Sequence, residues 1–252
     1  MAKADLHLHS AHSDGMATIH ELLAHVEAHV DLDVIAVTDH DDIRGSLAAR
    51  DTHARGAFRF EVVTGMEVTT IEGHLLALYI DEPVACLRGV EETLAAIHRL
   101  GGLAVIPHPL SWLTRGLGER HIRRVQSSSD PAVHFDAIEL TNGTPAGRVG
   151  ARKARALNSR ELHLAEAGGS DAHFLEAVGA GYTEFPGRTS ADLRQAILNR
   201  TTRGVCTPHP SLRDIGFAQV ARQTYRGIMS TPRAMGWGPT ARSFVRRVFT
   251  VR

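Results

Sequence analysis

The chain has 252 residues with 28 basic and 28 acidic side chains, so its formal net charge is zero and bulk attraction to nucleic acid or anionic membrane is excluded as its organising force. No apolar run approaches the roughly 20 residues needed to cross a bilayer, and no basic-then-apolar leader opens the sequence. Cys86 and Cys206 are the only cysteines and lie far apart, which argues against a disulfide scaffold and fits a reducing cytoplasm.

Asp5-Leu-His-Leu-His9 alternates polar and apolar residues. On a strand, His7 and His9 share one face and Leu6 and Leu8 the other. Two imidazoles on a rigid face suit a first-row metal ion; an amphipathic strand with exposed histidines has the same pattern. A polar turn follows, with Asp14 beside Gly15, and then a capping-box pattern from Thr18 to Glu21. Ile19, Leu22, Leu23, Val26 and Val30 continue it at helical spacing. Residues 34–38 are a continuous apolar run, as expected of a parallel strand covered on both faces, and they end in Asp39-His40. A helix is expected over 43–55, a strand over 60–65 ending in Met66-Glu67, and extended chain over 68–79 interrupted at Gly73-His74. An amphipathic helix over 90–100 is stopped by Gly101-Gly102. Strand 103–106 ends in Pro107-His108-Pro109, and one short helix is expected near 119–125. Strand 137–140 leads to Asn142, a basic helix covers 146–158, and strand 164–169 runs into Ser170-Asp171-Ala172-His173. A last strand over 182–185 and a helix over 190–200 complete the pattern.

Strands alternating with helices predict parallel strands with crossover helices. Six or seven such units over about 200 residues suit a closed α/β barrel. An open doubly wound sheet is the competing arrangement, but no Gly-rich dinucleotide fingerprint follows the first strand. The polar residues gather at strand ends, and in a barrel the carboxyl ends of the parallel strands share one rim. Repetition of that placement, strand after strand, predicts one polar site assembled from distant residues.

The ordered motifs Asp5-x-His7-x-His9, Ser13-Asp14-Gly15, Thr38-Asp39-His40, Gly65-x-Glu67, Gly73-His74, Pro107-His108-Pro109 and Gly169-Ser170-Asp171-Ala172-His173 resemble those of the PHP (polymerase and histidinol phosphatase) superfamily. The resemblance covers residues 4–185. It implies a distorted, TIM-like barrel of about seven β/α units and hydrolysis of phosphate esters with two or three divalent ions, manganese, zinc or iron. It also implies the ligands: His7, His9, Glu67 and Asp171 for one ion, with Glu67 bridging to a second held by His74 and His108. Asp14, His40 and His173 would hold the third. Such ions neutralise ester oxygens and acidify a bound water toward pKa ~7, so a hydroxide bridging two of them is the expected attacking group. Asp171, Glu67 and His108 are the residues expected to take part in the chemistry, with Asp171 a further candidate for accepting the water's proton. Asp5 and Asp39 either orient imidazoles or make ordinary strand-end hydrogen bonds.

Phosphate recognition commonly adds Arg or Lys. Arg115, in the loop after His108, is the first candidate, with Arg44, Arg148, Arg152 and Lys153 as alternatives and Asn142 as a further substrate contact. The expected substrate is a phosphorylated small molecule or nucleotide. Residues 79–103 leave room for one helix, without the sizeable insertion of nucleoside-bisphosphate phosphatases, and no polymerase domain accompanies the barrel. The barrel is expected over residues 1–210 and a basic extension over 211–252, where eight arginines face only Asp214. That extension either packs on the barrel, lies disordered, or touches acidic lipid, a partner protein or nucleic acid, the last in a nuclease or processing module. Metal-dependent amide hydrolysis is a third possibility, since metal-rich barrels also support it.

Overall fold

The computed structural model describes residues 1–234. The basic segment 242–249 and Trp237, singled out in the sequence, lie outside the described residues. Nine strands form one curved sheet: β1 (Ala2–Leu8), β2 (Val34–Val37), β3 (Glu61–Thr69), β4 (His74–Leu78), β5 (Leu103–Ile106), β6 (Ala137–Asn142), β7 (Ala165–Gly169), β8 (Gly181–Phe185) and β9 (Arg203–Cys206). Their order is β7-β6-β5-β4-β3-β2-β1-β8-β9. The pairs β1–β2, β2–β3, β5–β6 and β6–β7 are parallel; those made by β4 with β3 and β5, and by β8 with β1 and β9, are antiparallel.

Side chains and a single bridge draw the two edges together. Thr183 Oγ1 accepts from the Gly168 amide and donates to the Gly168 carbonyl, both at 2.9 Å. Thr202 Oγ1 donates to the Glu166 carbonyl at 2.6 Å, and Leu8 bridges Ala172 in parallel. The result is the distorted barrel the resemblance implies, with a reversed β4 and an antiparallel β8–β9 pair whose strands are joined through a helix over Ser190–Leu198. β9 escapes the sequence reading because Arg-Gly-Val-Cys has no alternation and stays partly exposed.

The helices are α1 (Ile19–His29), α2 (Arg44–His53), α3 (Val90–Arg99), α4 (Glu119–Gln126), α5 (Ala151–Leu157), α6 (Ser190–Leu198), α7 (Leu212–Ile215) and α8 (Phe217–Ala234). Thr18 and Glu21 form the expected capping box on α1. The basic helix starts at Ala151 rather than 146 and passes into a π-helical turn over Asn158–Leu162. There the Asn158 side chain bonds both the amide and the carbonyl of Leu164. The barrel interior is lined by small and aliphatic residues from β1 to β7, Ala4, Val34, Val63, Leu76, Val105, Ala137 and Ala165 among them, and Leu193, Ala196 and Ile197 of α6 close its lower end. With the interior plugged by apolar side chains at one end, the barrel opens to polar groups at the other.

Candidate metal centre

The open end is where the polar residues meet. His7 near the end of β1 and His9 just beyond it both enter the site, but strict alternation is not kept: the register of β1 on β2 shifts between Asp5 and Leu8, and Leu6 packs in the barrel interior while Leu8 packs with the residues of α1. Glu67 lies within β3, which runs on to Thr69, and is not a residue that follows the strand. His74 opens β4. It reaches the rim because β4 is antiparallel, so its amino end lies beside the carboxyl end of β3 through the Thr69–His74 pair. His40, His108, Asp171 and His173 lie just beyond β2, β5 and β7. His108 and Asp171 adopt positive φ, 30° and 53°, a region that costs a non-glycine residue about 1–3 kcal/mol.

Glu67 is the centre of the arrangement. Fully buried, it is approached by five imidazoles. Its Oε1 lies 2.8 Å from His74 Nδ1 and 3.0 Å from His108 Nε2; its Oε2 lies 3.0 Å from His40 Nδ1 and 3.4 Å from the Nε2 atoms of His7 and His9. Asp171 Oδ1 is 3.6 Å from His7 Nε2 and 3.4 Å from His9 Nε2. Asp14 sits to one side, with Oδ2 3.1 Å from His173 Nε2 and Oδ1 3.7 and 3.9 Å from His9 Nδ1 and His40 Nε2. All nine residues named as ligands from the sequence thus occupy one cluster, and their donor atoms fall into four overlapping groups of three or four. The groupings cut across the three expected sets: His9 also joins Asp14, His40 and His173, and His108 also joins His7 and Asp171.

The electrostatics call for positive charge. Burial pushes the Glu67 carboxyl up, but His40, His74 and His7 outweigh it and hold it well below the usual carboxylate range. Asp14 is lowered in the same way against its burial, by His173 and His40, and Asp171 by His7 and His9. His9 is lowered too, to about 3, through burial and the neighbouring His173 and His40, which keeps it neutral. His7 Nε2, both ring nitrogens of His9 and Glu67 Oε2 are buried without a hydrogen bond, which is costly for polar atoms unless something completes them. Lone pairs facing one another at 3.4 Å fit divalent cations coordinated by mixed nitrogen and oxygen donors.

Glu139 of β6, which the sequence reading passed over, holds this constellation in place. Its Oε1 accepts from His7 Nδ1 at 3.1 Å, and its Oε2 accepts from the His108 amide at 2.7 Å and Asn142 Nδ2 at 2.9 Å. The lone carboxylate in the apolar run Ala137-Ile-Glu-Leu140 was the signal available. Gly169 passes so close that a Cβ there would lie 2.5 Å from Glu139 Oε1 and 2.6 Å from His7 Cβ. Asp5 and Asp39 do not reach the imidazoles. Asp5 accepts from the amides of His7, Ser170 and Gly179, and Asp39 from the Ser10 amide and the hydroxyls of Ser10 and Ser13. Both therefore shape backbone beside the site.

A cleft of about 490 Å³ opens over the cluster, reaching Asp14, His40, Glu67, Asp171 and His173, with Arg115 on its wall. Arg115 is exposed, and among the described residues its guanidinium makes no ion pair. Arg44 pairs with Asp42 and Lys153 with Glu119 on the surface, while Arg148 donates to the carbonyls of Asn142 and Gly143. Arg152 does not line this cleft. Asn142 is buried, its amide spanning Glu139 and Asp171 (3.4 Å) and its oxygen accepting from Thr144. It grips the carboxylates and does not line this cleft. The opposite wall comes from the extension. Gln223 of α8 donates to Asp14 Oδ2 at 3.1 Å, and Arg226 donates to the carbonyls of Ala11 and Ser13.

Residues 152–202 match the family model described as PHP-associated. Over 129 residues the chain is 34% identical to an uncharacterized protein of Methanocaldococcus jannaschii, covering 47% of this chain and 74% of that one. Over 81 residues it is 35% identical to the 5'-3' exoribonuclease Rnm of Salmonella typhimurium, covering 31% of this chain and only 27% of that protein's length. Among solved structures it resembles a two-domain protein of Bacteroides vulgatus described as containing a predicted PHP-like metal-dependent phosphoesterase. That match has a TM-score of 0.62 at 19% identity and covers 89% of this chain and 69% of that one. Barrel, motif order, metal-ligand cluster and these matches agree, and the chain belongs to the PHP superfamily.

Proposed function

We propose that this protein is a metal-dependent phosphoesterase acting on a phosphorylated small molecule or nucleotide. The observation that carries the reading is Glu67, buried among five imidazoles with hydrogen-bond-free donor atoms around it. His7, His9, Glu67 and Asp171 would hold one ion, Glu67, His74 and His108 a second, and Asp14, His40 and His173 a third. Divalent ions there, manganese, zinc or iron, would neutralise phosphate oxygens and acidify a bound water.

The chain's own residues account for the rest. Glu139 accepts from His7 Nδ1 and so keeps the His7 Nε2 lone pair turned inward. Arg115, without an ion pair among the described residues, offers its guanidinium to an anionic ester on the cleft wall. Asp171 is held ionised by the imidazoles around it; it positions and accepts, and is a poor proton donor to a leaving group. Replacement of His9, Glu67 or Asp171 by Ala should abolish turnover of an activated phosphoester and lower metal content. Undiminished activity in all three variants would reject the assignment.

A second reading, exonucleolytic cleavage of nucleic acid, is favoured by the segment shared with the exoribonuclease and by α8 walling the cleft, which suits a chain end better than an internal bond. A substrate panel with manganese and zinc in parallel separates the readings. Phosphomonoesters turned over and oligonucleotides spared support the first; oligonucleotides shortened from one end support the second. Hydrolysis of amides alone, or no more than trace metal after growth in metal-replete medium, overturns both.

A further inference from the structure

Another histidine cluster lies at the opposite end of the barrel. His98 lies in the last turn of α3, and His134 and Asp136 belong to the connection that enters β6. The six residues of β6 separate this end from the rim by roughly 20 Å at about 3.3 Å per residue. Asp136 is anchored, its Oδ2 accepting from the Ala104 amide at 2.7 Å and its own amide donating to the Ala104 carbonyl at 2.9 Å.

Both imidazoles have committed the same nitrogen. His98 Nδ1 lies 2.8 Å from the Ala132 carbonyl and His134 Nδ1 2.9 Å from the Pro131 carbonyl. A carbonyl only accepts, so each Nδ1 carries the proton, and in a neutral ring each Nε2 is a bare lone pair. Those two atoms face the two oxygens of one carboxylate: His98 Nε2 lies 3.1 Å from Asp136 Oδ2 and His134 Nε2 3.5 Å from Oδ1. The rings stack at 4.1 Å with 9° between their planes, which sets both Nε2 atoms on the same side. A single proton on His98 Nε2 satisfies its 3.1 Å contact with Asp136 Oδ2 but leaves the His134 Nε2 lone pair facing Oδ1 at 3.5 Å. Two protons would leave stacked imidazolium rings 4.1 Å apart, whereas one divalent ion meets all three donors with a modest tilt of the half-exposed His134. Backbone carbonyls on Nδ1 are the arrangement that fixes an imidazole for coordination through Nε2.

We propose that His98, His134 and Asp136 form a separate site for one divalent transition-metal ion, of zinc type, at the amino end of the barrel. Two imidazoles and a carboxylate, with a position open to water, match a borderline-soft ion better than manganese or magnesium. Bound there, the ion clips the end of α3 to the segment that feeds β6, far from the catalytic rim.

The test is equilibrium dialysis of the full chain against buffered zinc, with bound ions counted by elemental analysis in the parent protein, His134→Ala and Asp136→Asn. His134 is surface-placed, so its variant keeps the fold; circular dichroism checks both. The expected result is one zinc fewer per chain in each variant, with phosphoesterase turnover within twofold of the parent. Equal zinc stoichiometry in parent and folded variants overturns the proposal, as does a parent in which both Nε2 atoms stay protonated by nitrogen NMR at saturating zinc.

Discussion

Glu139→Gln isolates the contribution of a residue that touches no expected metal yet grips two ligands. Glutamine has one acceptor oxygen. Placed where Oε2 sits, it keeps the bonds from the His108 amide and Asn142, at 2.7 and 2.9 Å, so the cost to the fold is about 1 kcal/mol, one ordinary hydrogen bond. The amide nitrogen must then occupy the place of Oε1, 3.1 Å from His7 Nδ1. Two donors cannot face each other. His7 relieves the conflict by moving its proton to Nε2, which directs an N–H at Glu67 and Asp171, 3.4 and 3.6 Å away. That tautomer has no lone pair for an ion. Loss of such an orienting partner typically weakens metal binding 10- to 100-fold, about 1.4–2.7 kcal/mol at 1.36 kcal/mol per decade. Competition with a chromophoric chelator measures it directly. Affinity within twofold of the parent, in a variant whose melting temperature is also unchanged, would refute the tautomer argument.

Gly169→Ala should lower the melting temperature and metal retention together, because the new methyl would meet Glu139 and His7 at 2.5 and 2.6 Å; overpacking of this kind costs about 1–3 kcal/mol. Unchanged values of both would show that β7 can yield. Arg226→Ala removes both donations to the Ala11 and Ser13 carbonyls, so limited proteolysis should cut the 207–216 connection faster while the barrel survives; an unaltered cleavage rate would mean that Arg226 does not hold α8. Chelation should lower the melting temperature and readdition of manganese or zinc restore it, since ligands that bind only the folded state stabilise it by mass action. A melting temperature indifferent to chelation would count against ions completing the Glu67 cluster.

The legible part of this protein is what local periodicity dictates. His7 and His9 declare themselves by alternation, α1 by its capping box, and the short strands by apolar runs ending in polar residues. The motif order then joins strand ends that lie far apart in sequence. What escapes depends on pairing direction and on contacts that have no spacing. His74 comes to the rim only because β4 runs backwards, and nothing in Gly73-His74 states that direction. Glu139 is a single carboxylate in an apolar strand, and its partners come from β1 and from the loop after β5. The left-handed backbone of His108 and Asp171 is imposed by the loops around them. For the extension the sequence left packing and disorder both open; the α8 contacts at Asp14 and the 10–13 turn favour packing.

Gln223 meets Asp14 across 209 residues of sequence, and that separation has a kinetic side. During synthesis the chain releases His7, His9, His40, Glu67, His74, His108 and Asp171 well before α8. Divalent ions would therefore meet those residues before the helix is in place. Once seated, α8 walls the cleft on one side without closing it, so exchange would still proceed through the open side. The helix should then slow exchange of an ion beside Asp14, which Gln223 touches, more than of ions held farther along the cleft.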